Sequence, residues 1–265
     1  MSIFEQALRA NIYELRETAL EDVEVALLDT GVDATHQDLA SAVVESVEIV
    51  STRGRFYERS RPAPTHNDSS GHGTAVASVI ARLAPNARIT DLRIAENECG
   101  GRGEAVLAGL RGAWERRVRV INVSLACERR FLAPLSELCE AAYFRNQVVV
   151  AAELNDPALE KGLPAELSNC IGVTCDRSAD SQVLRFRKNH RIEFSAFGRE
   201  VAVAVPGNSY GVKSGTSLAA GTVTGLCTLL LGAFPDLTPF EVKTVLRAVA
   251  SRAASERQFN QSPLG

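Results

Sequence analysis

No Cys-x-x-Cys pair occurs among the six cysteines of this 265-residue chain, which are Cys99, Cys127, Cys139, Cys170, Cys175 and Cys227. That absence removes the zinc-knuckle and thioredoxin-type readings. Cys170 and Cys175 flank a strand-like "IGVT", and their separation puts them on opposite faces, where no disulfide can join them. The thiols are expected to be reduced and mostly buried, as in a cytosolic protein. The N-terminus, "MSIFEQALRANIYELRETAL", lacks the basic start and continuous apolar stretch of a signal peptide. No apolar run reads as a membrane span, so no membrane partner is expected. The chain also lacks a basic excess, with a formal net charge of -3. Nucleic acid is therefore not an expected partner, and short clusters such as "ERRVR" (115–119) read as solvated faces. No internal repeat, low-complexity tract or domain boundary is visible.

Short apolar, β-branched runs do occur, bounded by turn residues. They lie at 23–28, 42–50, 87–94, 118–125, 147–152, 170–175 and 201–206. Near-continuous apolar strands point to a sheet covered on both faces. Helical patterns separate many of them, at about 72–83, 103–116, 134–145, 216–233 and 238–251. This alternation predicts an α/β fold in three layers, a mostly parallel central sheet of about seven strands with helices on both faces. The segment 184–194 reads as a hairpin turning near Lys188-Asn189-His190, and 53–71 reads as a surface loop. One domain is expected over 1–254, opening with an amphipathic helix over 1–18 and followed by a polar, disordered tail at 255–265.

Three residues are candidates for chemistry. "VALLDTGVD" (25–33) sets Asp29 at the C-terminal end of a buried strand, the edge where sites assemble in open parallel sheets. "SSGHGTAVASVIA" (69–81) sets His72 in the first turn of a helix, with Ser69 or Ser70 as its cap. "GTSLAA" (215–220) delivers Ser217 to the start of a long apolar helix. Singly, each has an ordinary reading: Asp29 a turn former, His72 a helix-end residue, Ser217 an N-cap. Together they give the chain order Asp, His, Ser, one of the orders in which a nucleophile, its base and the orienting carboxylate occur.

With these blocks the sequence resembles the subtilisin-like serine peptidases. The match takes in "DTGVD" with "HQDL" just after it, "GHGTAVAS", "INVSL", "VVVAAELN", "LPA", "FSAFG", "VPG" and "SGTSLAAGTVTG". These run in family order from about residue 20 to 250. The resemblance implies a subtilisin-like fold, Asp29, His72 and Ser217 as the triad, and Asn155 as the side chain that binds the oxyanion. It implies an extended peptide or protein substrate bound along Ser124, Leu125 and Ala126 and along "GGRG" (100–103), which includes Gly101 and Gly103. The first side-chain pocket would be lined by 124–126, by Ala152, Glu153 and Leu154, and by Gly162. Glu153 and Leu154 replace small residues of the family pattern, so that pocket is expected to be narrower or more acidic. Leu218-Ala219-Ala220-Gly221-Thr222 stands where the family usually has Met-Ala-Ser/Thr-Pro-His, and Ala75 and Ala126 stand where His and Gly are common.

No cofactor is implied. Many relatives hold calcium in a loop inserted into the histidine's helix, but here 72–89 runs on without room for one, and Asp38 lacks the other ligands of such a site. About twenty residues precede the first strand, too few for a folding prodomain. The expectation is a cytoplasmic endopeptidase with a selective processing role. Two alternatives use the same constellation: a peptide ligase or macrocyclase, and a binding-only pseudoprotease. The sequence does not give the oligomeric state.

Overall fold

A computed structural model describes residues 1–62, 64–96, 103–155, 162–176 and 184–261, the last ten of these by their backbone alone. Strand β1 (Val23–Asp29) lies near the middle of a nine-stranded sheet. The other strands are β2 (Val43–Thr52), β3 (Arg55–Arg61), β4 (Ala87–Arg93), β5 (Val120–Val123), β6 (Val148–Ala152), β7 (Ile171–Asp176), β8 (Arg185–Phe186) and β9 (Phe194–Phe197). Their order across the sheet is β3-β2-β4-β1-β5-β6-β7-β9-β8. From β2 to β9 every neighbouring pair is parallel, and an antiparallel strand closes each edge.

Both faces of the sheet are buried, which explains the continuous apolar runs. Along β1, Val25 and Leu27 enter one core, and Ala26 and Leu28 enter the other. The first core is packed under α1 (Ile3–Arg9), α2 (His72–Leu83), α5 (Thr216–Ala233) and α6 (Pro239–Gln261). The second lies under α3 (Gly103–Arg116) and α4 (Leu132–Phe144). Helix α5 is long and apolar enough to cross a bilayer by composition, but 89% of it is buried inside the protein. It is the central helix of the first core.

The structure departs from the sequence reading in four places. The run 201–206 does not join the central sheet. It forms β10 (Val201–Val205), which pairs antiparallel with β11 (Ser209–Lys213) as a separate ribbon, and β9 takes the seventh parallel place. The segment read as a loop from 53 contains edge strand β3. Arg53 and Gly54 both adopt positive φ, which makes the tight turn of a hairpin. Its charged side chains disguise it, because Arg59 and Arg61 answer Glu48 across the ladder. The helix expected over 1–18 ends at Arg9. Asn11 breaks it by accepting from the Tyr13 N–H and donating to Glu14, while Ile12 and Leu15 still reach the core. At the other end, α6 runs on to Gln261, through most of the segment read as a disordered tail. No Gly or Pro interrupts it before Pro263.

Helix α2 runs uninterrupted from His72 to Leu83. Asp38 is exposed and accepts from the Tyr210 hydroxyl at 3.0 Å, tying the turn after β1 to β11. Among the described residues, no three His, Cys, Asp or Glu side chains converge in a way that could hold a metal ion.

Candidate active site

The C-terminal ends of β1, β5 and β6 meet the first turns of α2 and α5. Asp29 is the last residue of β1, His72 the first of α2 and Ser217 the second of α5. His72 Nδ1 donates to Asp29 Oδ1 at 2.6 Å, and His72 Nε2 lies 2.8 Å from Ser217 Oγ. An ionised Asp29 only accepts, so Nδ1 carries the hydrogen and Nε2 is left to accept from the serine hydroxyl. Asp29 is fully buried, while His72 and Ser217 keep 7% and 4% exposure. A water-poor site of this kind strengthens each charge interaction. Asp29 Oδ1 also accepts from the Thr30 N–H at 2.7 Å, whereas Oδ2 has no hydrogen-bond partner among the described residues.

The close approach of α2 to the turn after β1 depends on Gly73. A Cβ there would lie 2.1 Å from the Gly31 carbonyl oxygen and 3.1 Å from Asp29 Cβ. Any side chain would push His72 away from Asp29.

The cap of α2 differs from the sequence expectation. Asp68 takes the main role, not Ser69 or Ser70. It accepts from the N–H groups of Gly71 and Thr74 and from the hydroxyls of Thr30 and Thr74, at 2.6 to 2.9 Å. Ser70 Oγ adds one longer bond from the His72 N–H, and Ser69 Oγ turns to the Glu96 carbonyl. A carboxylate four residues before the helix, facing its free N–H groups and positive end, was the available signal.

Asp91, on β4, was also missed. It is fully buried, and its Oδ2 accepts from the Val32 N–H at 3.2 Å and from Asn67 Nδ2 at 3.0 Å. One carboxylate thus ties the turn after Asp29 to the loop before His72. Its Oδ1 and the hydroxyl of Ser46, its register partner on β2, have no partners among the described residues. Burial, with lesser contributions from Asp68 and Asp29, pushes Asp91 up to about 7 against the pull of its two bonds.

The folded protein therefore holds a proton on Asp91 that an unfolded Asp, ordinarily near 3.8, has released. Stability from this group falls as pH rises between those two values, and the full cost is present above about 7. Asp91→Asn keeps an accepting oxygen and removes the ionisation. It should raise the melting temperature at pH values above 7, by the equivalent of up to a few kcal/mol at about 1.4 kcal/mol per pKa unit. The gain should shrink toward pH 4. Melting curves giving the same shift at both ends of this range would contradict the assignment.

At the end of β6, Asn155 Oδ1 accepts from the Thr216 N–H at 3.1 Å. Thr216 Oγ1 donates to the Glu153 carbonyl at 2.6 Å and lies 3.1 Å from the same Asn oxygen. With Oδ1 tied to the start of α5, Nδ2 is the edge left to donate. The N–H groups of the first turn of α5 have no intrahelical acceptors, which leaves that of Ser217 available as a second donor.

The expected substrate-binding residues divide. Gly101 lies outside the described residues, as does Cys99. Gly103 begins α3 and packs so closely on Phe131 that a Cβ would lie 2.1 Å from the ring. Ser124 and Leu125 follow β5, but their side chains turn inward: Ser124 Oγ bonds Asn122 at 2.6 Å, and Leu125 is buried in the second core. Only their backbone could pair with a ligand. Ala126 is half-buried and Ala152 is buried in the first core. Glu153 and Leu154 are half-buried, with the Glu153 N–H bonded to the Val173 carbonyl. Gly162 comes alongside through the bridge between Cys127 and Leu163, with the Glu166 carboxylate crowding its Cα.

None of the five described cysteines is in a disulfide. Burial pushes Cys127 up to about 12 and also raises Cys227, and a hydrogen bond to Cys139 together with burial raises Cys170. These three thiols stay protonated and do not compete with Ser217 as nucleophiles.

Comparison with known proteins gives one answer. Residues 21–262 match the model of peptidase S8, the subtilase family. Subtilisin DY of Bacillus licheniformis is 30% identical over 252 residues, covering 87% of this chain and 84% of that protein. Thermitase of Thermoactinomyces vulgaris is 30% identical over 226 residues, covering 78% and 74%. The structure of the S41 psychrophilic protease is similar with a TM-score of 0.71 at 22% identity, over 86% of this chain and 82% of that one.

Proposed function

The chain belongs to the subtilase family and is a subtilisin-like serine endopeptidase, and on that premise we propose that Asp29, His72 and Ser217 are its catalytic triad. The observation that carries this reading is the unbroken hydrogen-bonded line from Asp29 Oδ1 through the imidazole to Ser217 Oγ, at 2.6 and 2.8 Å. In the proposed mechanism, Ser217 Oγ attacks the scissile carbonyl carbon as His72 Nε2 takes its proton. Asp29 holds the imidazole and stabilises the imidazolium that forms. Asn155 Nδ2 and the Ser217 N–H face the oxyanion, and the positive end of α5 supports it. His72 then passes the proton to the leaving amine, and an acyl-enzyme on Ser217 remains. Water, deprotonated by the same imidazole, releases the acid and restores the serine.

A phosphonyl fluoride probe tests this reading. One equivalent should attach, and mass spectrometry of the digest should find it on Ser217. A chain that takes up no probe, or takes it up elsewhere, overturns the triad and favours the binding-only alternative. Adding a peptide amine during turnover tests the ligase alternative, since ligated product would then replace hydrolysed product.

Asn155→Ala removes one oxyanion donor and leaves the triad. It should lower kcat by about a hundred- to a thousand-fold, the range found for such an asparagine in a subtilisin, with little change in KM. A rise in KM alone would show that Asn155 only binds substrate.

We also propose a selective role inside the cell. The described cysteines are free of disulfides, and Cys127, Cys170 and Cys227 stay protonated, which suits a reducing compartment. Glu153 and Leu154, half-buried beside the site, stand where the family pattern has small residues and would narrow the choice of substrate. Fractionation, with cleavage profiling on a peptide library, would refute this if the protein were found outside the cell or cut without preference.

A further inference from the structure

A cavity of about 670 Å³ opens beside Asn155. Its wall includes Glu153 at the end of β6, Thr174 on β7, Arg187 just after β8, Arg199 just after β9 and Ser214 just before α5. Thr216 also lines it, so the cavity borders the nucleophile's own turn. In the sheet, β7, β9 and β8 lie on the far side of β6 from β5. A peptide whose acyl half lies along 124–126, after β5, meets Ser217 and Asn155 at its scissile carbonyl. Its leaving half would then run past the other side of 153–155, toward this cavity.

The charge of the described wall residues is unbalanced. Arg187 donates to the Ile192 carbonyl and to the His190 ring, neither of them a carboxylate. Arg199 has the carboxylate of its neighbour Glu200 at 3.7 Å, with both side chains more than half exposed. A pair so open to water holds its partners weakly. Glu153 is the only carboxylate among the described lining residues. Two arginines and one glutamate are thus the charged residues among the described lining of the cavity. Guanidinium groups bind carboxylates through paired, parallel hydrogen bonds.

We propose that this cavity binds a carboxylate on the leaving half of the substrate, and that Arg187 and Arg199 select it. The carboxylate would come from an Asp or Glu side chain just after the scissile bond, or from a nearby C terminus. The enzyme then cuts in front of acidic residues or close to a chain end. This rests on the triad reading above and goes further by naming the substrate class.

The test uses peptides with one fixed acyl half and an amidated C terminus. Glu, Gln or Lys occupies the first or second position after the cleaved bond, and a further arm carries only neutral residues and ends there in a free carboxylate. Rates are read as kcat/KM ratios within one protein, so changes in overall activity cancel. Glu should exceed Gln by about tenfold in the unaltered enzyme, and the advantage should shrink in about 0.5 M salt. Arg187→Gln with Arg199→Gln should bring the ratio near one, and Glu153→Gln should raise it. A preference limited to the free-carboxylate arm identifies the chain end as the source. Equal rates for Glu and Gln together with no advantage for the free-carboxylate arm over its amide, or a preference that survives loss of both arginines, would overturn the proposal. If the double variant does not fold, the two single variants and the salt dependence decide by the same ratios. Failure of the triad reading is distinguishable, because no peptide would then be cut and Ser217 would take up no phosphonyl probe.

Discussion

Ser217→Ala is expected to lower kcat for peptide hydrolysis by about a million-fold, the loss found when a subtilisin loses its nucleophile, and to leave the fold in place. The substitution removes one oxygen whose partner is His72 Nε2 at 2.8 Å. The rest of α5 is held by deep apolar packing and by hydrogen bonds of its own, such as Asn122 Nδ2 to Thr224 Oγ1 at 2.7 Å, and the residue itself keeps only 4% exposure. One lost hydrogen bond is worth about 1 kcal/mol. That corresponds to a shift of only about 2–4 °C in melting temperature for a protein of this size. The two readouts separate catalysis from folding. Hydrolysis at a rate within tenfold of the unaltered enzyme, by a purified and correctly folded variant, would remove Ser217 from the mechanism. A collapse in melting temperature would instead show that the hydroxyl holds the helix start.

Much of this site could be read directly, because each of its parts is encoded locally. Asp29 ends an apolar strand and precedes a Thr-Gly turn, His72 stands between two glycines before a helical pattern, and Ser217 follows Gly-Thr before another. Burial of the sheet on both faces made the parallel strands legible as apolar runs. The features missed are those whose meaning depends on distant partners. β3 reads as a charged loop until Glu48 is placed across from its arginines. β10 is as apolar as any central strand, and only its pairing with β11 sets it apart. Asp68 and Asp91 look like ordinary polar residues in sequence. Asp68 acquires its role by facing the start of α2, and Asp91 by lying between Val32 and Asn67. Residues 124 and 125 show the converse. Their place beside the site follows from the motif, but the inward turn of both side chains follows from packing. Gly103 is assigned to a peptide edge by its motif, and its close packing on Phe131 follows only from the fold.

Asp29→Asn is expected to lower kcat by about ten-thousand-fold, with KM and folding little changed. The Thr30 N–H decides how the new amide sits. Asp29 Oδ1 accepts from both Thr30 N and His72 Nδ1, at 2.7 and 2.6 Å. An asparagine that keeps its oxygen at this corner satisfies both donors, and its NH₂ occupies the corner where Oδ2 has no partner among the described residues. The imidazole then keeps its orientation and tautomer but loses the negative charge that stabilises it once protonated. The flipped amide would set its NH₂ against the Thr30 N–H and force His72 to carry its hydrogen on Nε2, where it could not accept from Ser217. Either arrangement disables the base, by loss of charge in the first and by the wrong tautomer in the second. Substrate binding should survive, because Asp29 is fully buried behind the histidine. Stability should hold or rise, since a buried carboxylate with one unpaired oxygen is costly and the amide carries no charge. Labelling by the phosphonyl probe should slow in parallel with kcat, as both need the serine activated. A variant that loses less than tenfold in kcat would show that Asp29 does not support His72 during the reaction. A large rise in KM at unchanged kcat would place its role in substrate binding.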